Sequence, residues 1–501
     1  FMVAKKVEVT SLAYGEQQAY MWSSSGSAGY EIKPADKTSV GTSVKLYLKD
    51  NDDDCRYDEY TEEYYLRMLV KKYSDYIRYP IVMDVTRSRK KEGSDEQEEY
   101  TETVTLNSMV PLWKKQKSQI KEEEYNSFYE AKFHDYEAPL KVIHANMEGA
   151  VNYTALLFIP AHAGSEYYTK DYKKGLQLYC NGVLITDCCE DLVPDCYAFV
   201  KGVVDSSDLS LNISREVLQQ DRQLKAIAGG IEKKITAELG KMLENERENY
   251  DKMFEAFGLT LKFGAYNNFG FKKDELKDLL LFRSSTRDKL ITLKEYVAAM
   301  KEGQTDIYYA CGSDYKTIAE MPQTELLRAK GYEMLYFKDS VDEFVVKVLG
   351  EYDGKKFRNI QDGDLELNSE EEKAAVSEKK EQYKELSDYI KEKLGDKVSA
   401  VRFTDKLVTS AVCLSADGDI SLEMEKTFKA MRASSPMPVE AKKVLEININ
   451  HPIAEKLKTY YDSDKETLDK YIKVLYGEAR MLAGFDIEDA TEFTSVVNSL
   501  I

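Results

Sequence analysis

An arginine and a glutamine four residues apart are the side chains whose types and spacing best suit chemistry. Arg215 and Gln219 lie in the run DLSLNISREVLQQ at 208–220, and their spacing places them on one face of a helix. From a helix start, the planar fork of arginine donors can reach a phosphate bound on another domain. Most arginines at helix starts are instead solvated or paired with a nearby acid, here Asp208 or Glu216. The chemistry of this run alone favours that simpler interpretation.

Further short motifs follow in order along the chain. They are PLW at 111–113, EEYNSFY at 123–129, LFIP at 157–160, VVDS at 203–206, KEGQ at 301–304, IYY at 307–309, KGYEML at 330–335, DEF at 342–344 and LEIN at 445–448. Together with the run at 208–220, they resemble the heat shock protein 90 family of molecular chaperones. The short charged stretch at 87–104, and an end without an acidic EEVD tail, resemble the bacterial type of that family.

The resemblance implies roles in ATP hydrolysis for three residues of the 208–220 run. Arg215 and Gln219 would meet the γ-phosphate of ATP when two domains dock, and Asn212 would support that arrangement. An arginine delivered from another domain stabilises the charge that develops in phosphoryl transfer. Ser210 stands where the family usually has proline, so we expect a less rigid loop.

The family's site for ATP with Mg²⁺ is expected to lie mostly before Phe1. The chain opens with FMVAKKV, which in the family follows a glycine-rich lid late in the ATP-binding domain. Thr42 matches a threonine that touches the adenine, although β propensity alone also explains a threonine in a strand. The sequence contains no P-loop pattern that could replace the missing segment. We therefore expect the chain alone neither to bind ATP tightly nor to hydrolyse it.

The pattern of elements predicts an α/β multidomain chain. Residues 1–86 are predicted as strands and a helix at the end of an α/β sandwich ATPase domain, and 87–104 as a charged, mobile linker. Residues 105–365 are predicted as an α/β middle domain, with 155–159 as a strand buried on both faces, helices at 215–229 and 231–257, and a last strand at 334–337. Residues 366–501 are predicted as a mostly helical α+β C-terminal dimerisation domain.

A discontinuous surface for client proteins is implied by the resemblance. It comprises Trp113, Glu343, Phe344, Ile420, Met424 and Phe428. The last three follow one another at four-residue spacing, a pattern that is more often an ordinary helix face packed on its own domain. Exposed methionine and aromatic groups nevertheless suit a surface that accepts many shapes. For Trp113, a core anchor and a client contact fit the sequence equally well.

Two apolar stripes occur near the end of the chain. The first contains Leu468, Ile472 and Leu475, and the second contains Phe493, Val496, Val497 and Leu500. Periodicity alone favours a packed domain core for such stripes. The family dimerises through these last helices as a four-helix arrangement, so the resemblance implies a homodimer seam.

Composition narrows the class of partner and the compartment. The net charge of -19, from 89 acidic and 70 basic residues, opposes binding to nucleic acid and to anionic membranes. Seven cysteines are an odd number for a disulfide framework. The spacing of Cys188, Cys189 and Cys196 does not suit a zinc site, so reduced thiols and a cytoplasmic location are expected.

These inferences predict an ATP-dependent chaperone of the stress response. It would be a homodimer whose nucleotide-driven clamp remodels partly folded clients, which requires two states with different client and nucleotide affinities. The alternative is an ATP-independent dimeric holdase or scaffold, which the absent nucleotide pocket favours for the chain as given. The four scattered histidines provide no grouping for nucleophilic catalysis.

Overall fold

The computed structural model describes residues 1–26, 29–53, 55–90, 97–209, 222–362, 379–430 and 440–501. The strands are β1 Ala4–Leu12, β2 Ala19–Ser24, β3 Glu31–Ala35, β4 Gly41–Leu48, β5 Val82–Lys90, β6 Gln97–Thr105, β7 Lys141–Met147, β8 Tyr153–Ile159, β9 Leu176–Cys180, β10 Val183–Cys189, β11 Lys201–Asp205, β12 Leu281–Ser284, β13 Leu290–Thr292, β14 Asp306–Cys311, β15 Leu335–Phe337, β16 Glu351–Tyr352, β17 Lys355–Asn359, β18 Ala400–Thr404, β19 Val412–Asp417 and β20 Lys442–Asn448. The helices are α1 Glu63–Tyr73, α2 Glu122–Phe133, α3 Arg222–Asn245, α4 Arg247–Gly270, α5 Lys273–Leu276, α6 Leu293–Ala298, α7 Tyr315–Glu320, α8 Glu325–Lys330, α9 Ser340–Leu349, α10 Lys384–Leu394, α11 Leu422–Ala430, α12 Pro452–Ser463, α13 Lys465–Leu482 and α14 Ala490–Leu500. The chain is thus a mixed α/β protein with several separate sheets, as the sequence predicts.

The N-terminal sheet is antiparallel, with the strand order β3-β2-β1-β4. β1 and β4 pair from Ala4 with Leu48 to Leu12 with Gly41. The helix that follows, α1, begins after a short 3-10 turn at Tyr57–Thr61. Strands followed by a helix are what the sequence predicts for residues 1–86.

Most of the expected linker forms strands. β5 and β6 pair antiparallel from Val82 with Thr105 to Lys90 with Gln97, and 91–96 lie outside the described residues. The expectation of a stretch without regular structure is therefore corrected for 87–90 and 97–104. Over these stretches the ribbon satisfies its backbone groups by pairing, but its charged sequence lacks the apolar period that identifies other strands.

The first sheet of the middle region has the strand order β10-β9-β11-β8-β7. Side chains of β8 alternate between two cores. Leu157 and Ile159 pack in the core that includes α3 and α4, whereas Leu156 and Phe158 pack around Trp113 on the opposite face. The prediction of a strand buried on both faces is confirmed.

The sequence predicts one helix ending at Gly229 and another beginning at Ile231, but α3 runs through Gly229 and Gly230 without a break. A Cβ added at Gly230 would lie 2.3 Å from the hydroxyl oxygen of Tyr153, whereas nothing lies within 4 Å at Gly229. Gly230 therefore allows the sheet to approach the helix closely and does not end it. The boundary between α3 and α4 is instead at Glu246.

The second sheet of the middle region has the strand order β13-β12-β15-β14-β17-β16. β14 pairs in parallel with β15 and with β17, so two strands follow the one expected to be last. That expectation missed β16 and β17 because they are short and mostly polar, EY and KKFRN. α9 connects β15 to β16 and packs against α4.

The C-terminal region contains a three-stranded sheet in the order β18-β20-β19. Its core combines this sheet with α10, α12 and α13, and the buried residues run from Tyr383 to Ala483. Buried residues of the middle region form clusters of their own, the last ending at Ile360. This grouping agrees with separate middle and C-terminal domains. The limits 105–365 and 366–501 stay a prediction, because 363–378 lie outside the described residues.

Candidate functional site

The residues assigned to ATP hydrolysis, Asn212, Arg215 and Gln219, lie outside the described residues. Just before them, Asp208 accepts hydrogen bonds from the backbone and side-chain amides of Asn152, at 2.7 and 3.1 Å. The bond from the Asn152 backbone is the main reason that the pKa of Asp208 is below its usual value. Asp208 is therefore already engaged by Asn152, and the role of Arg215 stays a prediction.

Thr42, the expected adenine contact, lies exposed on β4. Its hydroxyl oxygen is 2.9 Å from that of Ser11, which lies directly opposite on β1. A hydroxyl offers both a donor and an acceptor, so this placement fits a hydrogen bond to a purine edge. In the described ranges, no group of three or more His, Cys, Asp or Glu side chains is arranged to hold a metal ion. The adenine contact stays a prediction.

Two predicted client contacts, Phe344 and Phe428, meet where the middle and C-terminal regions join. Phe344 lies on α9 and Phe428 on α11, and their rings are edge to face with centroids 5.8 Å apart. Phe344 also packs against Tyr266 of α4, with ring centroids 5.5 Å apart. Both phenylalanines are partly exposed. The tertiary structure thus brings together two residues that are far apart in sequence.

Glu343, the neighbour of Phe344, is buried. Its carboxylate accepts hydrogen bonds from Ser421 Oγ at 2.6 Å and from Asn359 Nδ2 at 3.2 Å. Burial raises the pKa of Glu343, although the bond from Ser421 opposes that shift. In this arrangement Glu343 joins α9 to the start of α11 and is not accessible to a client. The predicted client contact at Glu343 would therefore require these two helices to separate, and it stays a prediction.

An ion pair fixes the other side of α9. Lys262 Nζ of α4 lies 2.6 Å from the Asp342 carboxylate and 2.9 Å from that of Asp339. Lys262 and Asp342 are buried, and separating a buried pair leaves an uncompensated charge at high cost. α9 is therefore held by α4 on one side and by the C-terminal region on the other, which positions Phe344 between them.

Met424 and Ile420 are more buried than an exposed amphipathic helix would require. Met424 is 8% exposed, and Lys347 Nζ lies 3.0 Å from its sulfur. Ile420 packs against the core of the C-terminal region. This placement supports the ordinary packed helix face for both residues, and their contact with clients stays a prediction.

Trp113 is buried in the core of the middle region. Its Nε1 donates a hydrogen bond of 3.1 Å to Asp205, and its ring lies 4.6 Å from that of Tyr76 and 5.0 Å from that of Tyr179, measured between centroids. Of the two interpretations that the sequence left open, these contacts support the core anchor. A client contact at Trp113 stays a prediction.

An exposed aromatic turn at the end of α4 is absent from the predicted sites. The side chain of Phe269 is fully exposed, and that of Phe271 is 83% exposed. Phe269 has a φ of 56°, a left-handed conformation that costs energy for an aromatic residue. Between them, Gly270 lies against Val348, because a Cβ at Gly270 would be 2.2 Å from a Val348 methyl carbon.

Val348 lies four residues after Phe344, on the same face of α9. The aromatic turn at the end of α4 therefore adjoins the contacts of Phe344 described above. The signal in the sequence that could have found it is FGF, two phenylalanines around a glycine in the polar stretch NNFGFKKDE. The name aromatic surface is used below for Tyr266, Phe269, Phe271, Phe344 and Phe428.

The two C-terminal stripes differ in exposure. Leu468, Ile472 and Leu475 of α13 are buried within the single chain, so they belong to the domain core and not to an exposed seam. Phe493, Val496, Val497 and Leu500 of α14 are partly exposed, and no residue of α14 is buried. Phe493 lies against Gly477 of α13, where a Cβ would be 2.5 Å from the ring. An apolar stripe available for a seam is thus found on α14, and dimerisation through it stays a prediction.

All seven cysteines are free, and burial raises the pKa values of Cys189 and Cys196 to about 11, so both stay protonated. Among the helices of the described ranges, none combines the length and the apolar composition needed to cross a membrane.

A mixed α/β chain with several separate sheets and helical segments is consistent with the Hsp90 class. The family model "Hsp90 protein" matches residues 96–501. Curated relatives named chaperone protein HtpG match nearly the whole chain: that of Halalkalibacterium halodurans is 50% identical over 496 residues, 99% of this chain and 79% of the relative. Those of Bacillus subtilis and Clostridium perfringens are 49% and 48% identical, over 99% and 100% of this chain and 79% and 80% of the relative. The chain belongs to the Hsp90 family.

Proposed function

We propose that this chain is a molecular chaperone that binds partly folded proteins through the aromatic surface. The observation that carries the proposal is the exposure of Phe269 and Phe271 beside the contact between Phe344 and Phe428. Exposing two phenylalanine rings to water is unfavourable, because apolar surface is hydrated at a cost in free energy. Exposed apolar patches often mark interaction sites. Membership of a family whose named relatives are chaperones supports the same role.

The chaperone cycle is proposed to depend on ATP with Mg²⁺. Arg215 and Gln219 would act at the γ-phosphate, Asn212 would support their loop, and Thr42 would contact the adenine. ATP, when bound, supplies a phosphoryl group whose hydrolysis distinguishes the two clamp states. In this proposal, the guanidinium of Arg215 and the side-chain amide of Gln219 would donate hydrogen bonds to that group. The exposed Thr42 hydroxyl fits such a contact.

The working form is proposed to be a cytoplasmic homodimer. The apolar stripe of α14 would form the seam with the same stripe of a second copy, while the core of the C-terminal region stays intact. A two-fold seam presents the same patch on both copies, so a single helix face is sufficient to build it. The two aromatic surfaces of a dimer could then act on one client.

The alternative function is an ATP-independent dimeric holdase or scaffold. It is favoured by one observation: the aromatic surface of Tyr266, Phe269, Phe271, Phe344 and Phe428 includes none of the residues proposed to contact ATP. Suppression of client aggregation that is the same with and without ATP would select this alternative.

The test of client binding is suppression of aggregation of a thermally unfolding enzyme, followed by light scattering. We expect Phe344→Ala with Phe428→Ala to suppress aggregation several-fold less than the unchanged chain, because the variant removes two rings from the surface. Tyr136→Ala is the matched control, since Tyr136 is 100% exposed elsewhere on the middle region. Equal suppression by the double variant, the control and the unchanged chain would refute client binding at this surface.

A further inference from the structure

We propose that a cleft on the second sheet of the middle region binds a multiply charged anion through phosphoryl or carboxylate oxygens. The cleft has a volume of about 410 Å³, and its lining includes Arg283, Lys316 and Arg328. Its volume is within the range of small-molecule sites. It is separate from the aromatic surface, and the proposal does not depend on client binding or on ATP.

Several elements combine to place the three cations together. Arg283 lies on β12, directly opposite Tyr336 of β15 in the antiparallel pairing. α7 contributes Lys316, and α8 contributes Arg328. The cations therefore come from three separate segments and line one cleft because of the tertiary structure.

The charge of the cleft opposes that of the rest of the protein. Arg283 forms an ion pair with Asp288, whose side chain is 92% exposed. Within the part of the chain that the structure describes, Lys316 and Arg328 form no ion pair. Three cations and one carboxylate line the cleft in a chain of net charge -19, so it is a local site of positive potential.

A second acid lies near the cleft but is already engaged. Glu333 accepts hydrogen bonds from Ser284 Oγ and from Thr286 Oγ1, the latter at 3.0 Å, and pairs with Arg287 at 3.1 Å. It therefore does not neutralise Lys316 or Arg328. The exposed Asp288 carboxylate on Arg283 occupies the kind of position that a ligand carboxylate or phosphoryl oxygen would take.

Two tyrosines complete the cleft. The Arg283 guanidinium lies 5.5 Å from the ring centroid of Tyr315, which limits its orientations. Tyr336 forms part of the wall, and burial raises its pKa, so its hydroxyl keeps the proton and can donate to an anion. Two guanidinium groups, one ammonium group and one phenol are all donors, and guanidinium pairs with oxygen anions in a bidentate manner.

The experiment is calorimetric titration of the full chain at low ionic strength, with pyrophosphate and, separately, with a short glutamate-rich peptide. Low ionic strength is needed because salt screens exposed charges. We expect saturable binding of pyrophosphate at one site per chain, weakened at least tenfold in Lys316→Gln with Arg328→Gln. Lys252→Gln with Lys294→Gln is the charge-matched control, since both lysines are exposed elsewhere on the middle region.

The two probes separate the sources of the anion. Binding of pyrophosphate alone identifies free phosphoryl compounds as the ligands, and binding of the peptide in competition with pyrophosphate identifies an acidic segment of a partner protein. Binding of neither probe would overturn the proposal. So would equal weakening in the cleft variant and in the control, which would show general attraction to surface charge. Melting curves of the variants exclude loss of fold as the cause.

Discussion

The rings of Phe344 and Phe428 meet edge to face across the boundary between the middle and C-terminal regions, with an interplanar angle of 74°. Glu343, the residue before Phe344, is hydrogen-bonded to Ser421 at the same boundary. A rotation between the two regions about this boundary must therefore change both the aromatic contact and the buried hydrogen bond. The geometry of the aromatic surface is thus coupled to the angle between the regions.

The exposed turn of α4 offers a test of how far the aromatic surface extends. We expect Phe269→Ala with Phe271→Ala to weaken suppression of client aggregation without lowering the melting temperature, because both side chains contact mainly solvent in the free protein. Light scattering and calorimetry measure the two properties. Unchanged suppression, together with a loss in the Phe344 and Phe428 variant, would limit the client surface to the region boundary.

Charge placed in the proposed seam tests dimerisation. We expect Val497→Asp to raise the dimer dissociation constant by about 100-fold, because it would bury an unpaired carboxylate between two copies of α14. Sedimentation velocity over a range of protein concentrations measures this constant. Asn498→Asp adds the same charge at an exposed position of the same helix and should leave the dimer intact. Equal effects of the two substitutions would argue against a seam at Val497.

Glu325 of α8 links the middle region to a loop of the C-terminal region. Its carboxylate accepts hydrogen bonds from the backbone amides of Val408 and Thr409, at 2.7 and 2.8 Å, and from the hydroxyls of Thr409 and Ser410, both at 2.7 Å. Partial burial opposes ionisation, but these bonds outweigh it and lower the pKa of Glu325 from 4.5 to about 2.

The lowered pKa predicts a pH dependence of stability. The unfolded chain protonates Glu325 first, so its contribution is fully present above pH 4.5 and is lost as pH falls towards about 2. We expect Glu325→Gln to lower the free energy of unfolding by about 1–2 kcal/mol at pH 7, an estimate reduced for solvent screening. Urea unfolding at several pH values measures the difference between the two proteins. A difference that persists undiminished at the lowest pH would show that the charge is not its source.

Arg215 tests the proposed dependence on ATP. In a form of the protein that binds ATP, we expect Arg215→Ala to lower kcat by about 10²-fold or more while nucleotide affinity is retained, because the guanidinium would stabilise charge in the transition state. Arg222→Ala is the control, since Arg222 is exposed at the start of α3. Turnover equal to that of the unchanged protein would make Arg215 a structural residue.

The amino-acid sequence by itself was sufficient to identify the family, because its short motifs are contiguous and their order survives without any structure. It was also sufficient to predict the strand at 155–159, where every side chain is apolar and both faces of the strand must therefore be buried. It failed at 87–90 and 97–104, since these paired stretches have charged sequences without an apolar period to detect.

Only the tertiary structure decided which of the predicted side chains are exposed. Periodicity shows which residues share a helix face, but not what covers that face, and the cover comes from distant segments. Lys347 of α9 covers Met424, whereas nothing in the described part of the chain covers Phe269. For the same reason, Leu468 became a core residue and three cations from separate segments came to line one cleft.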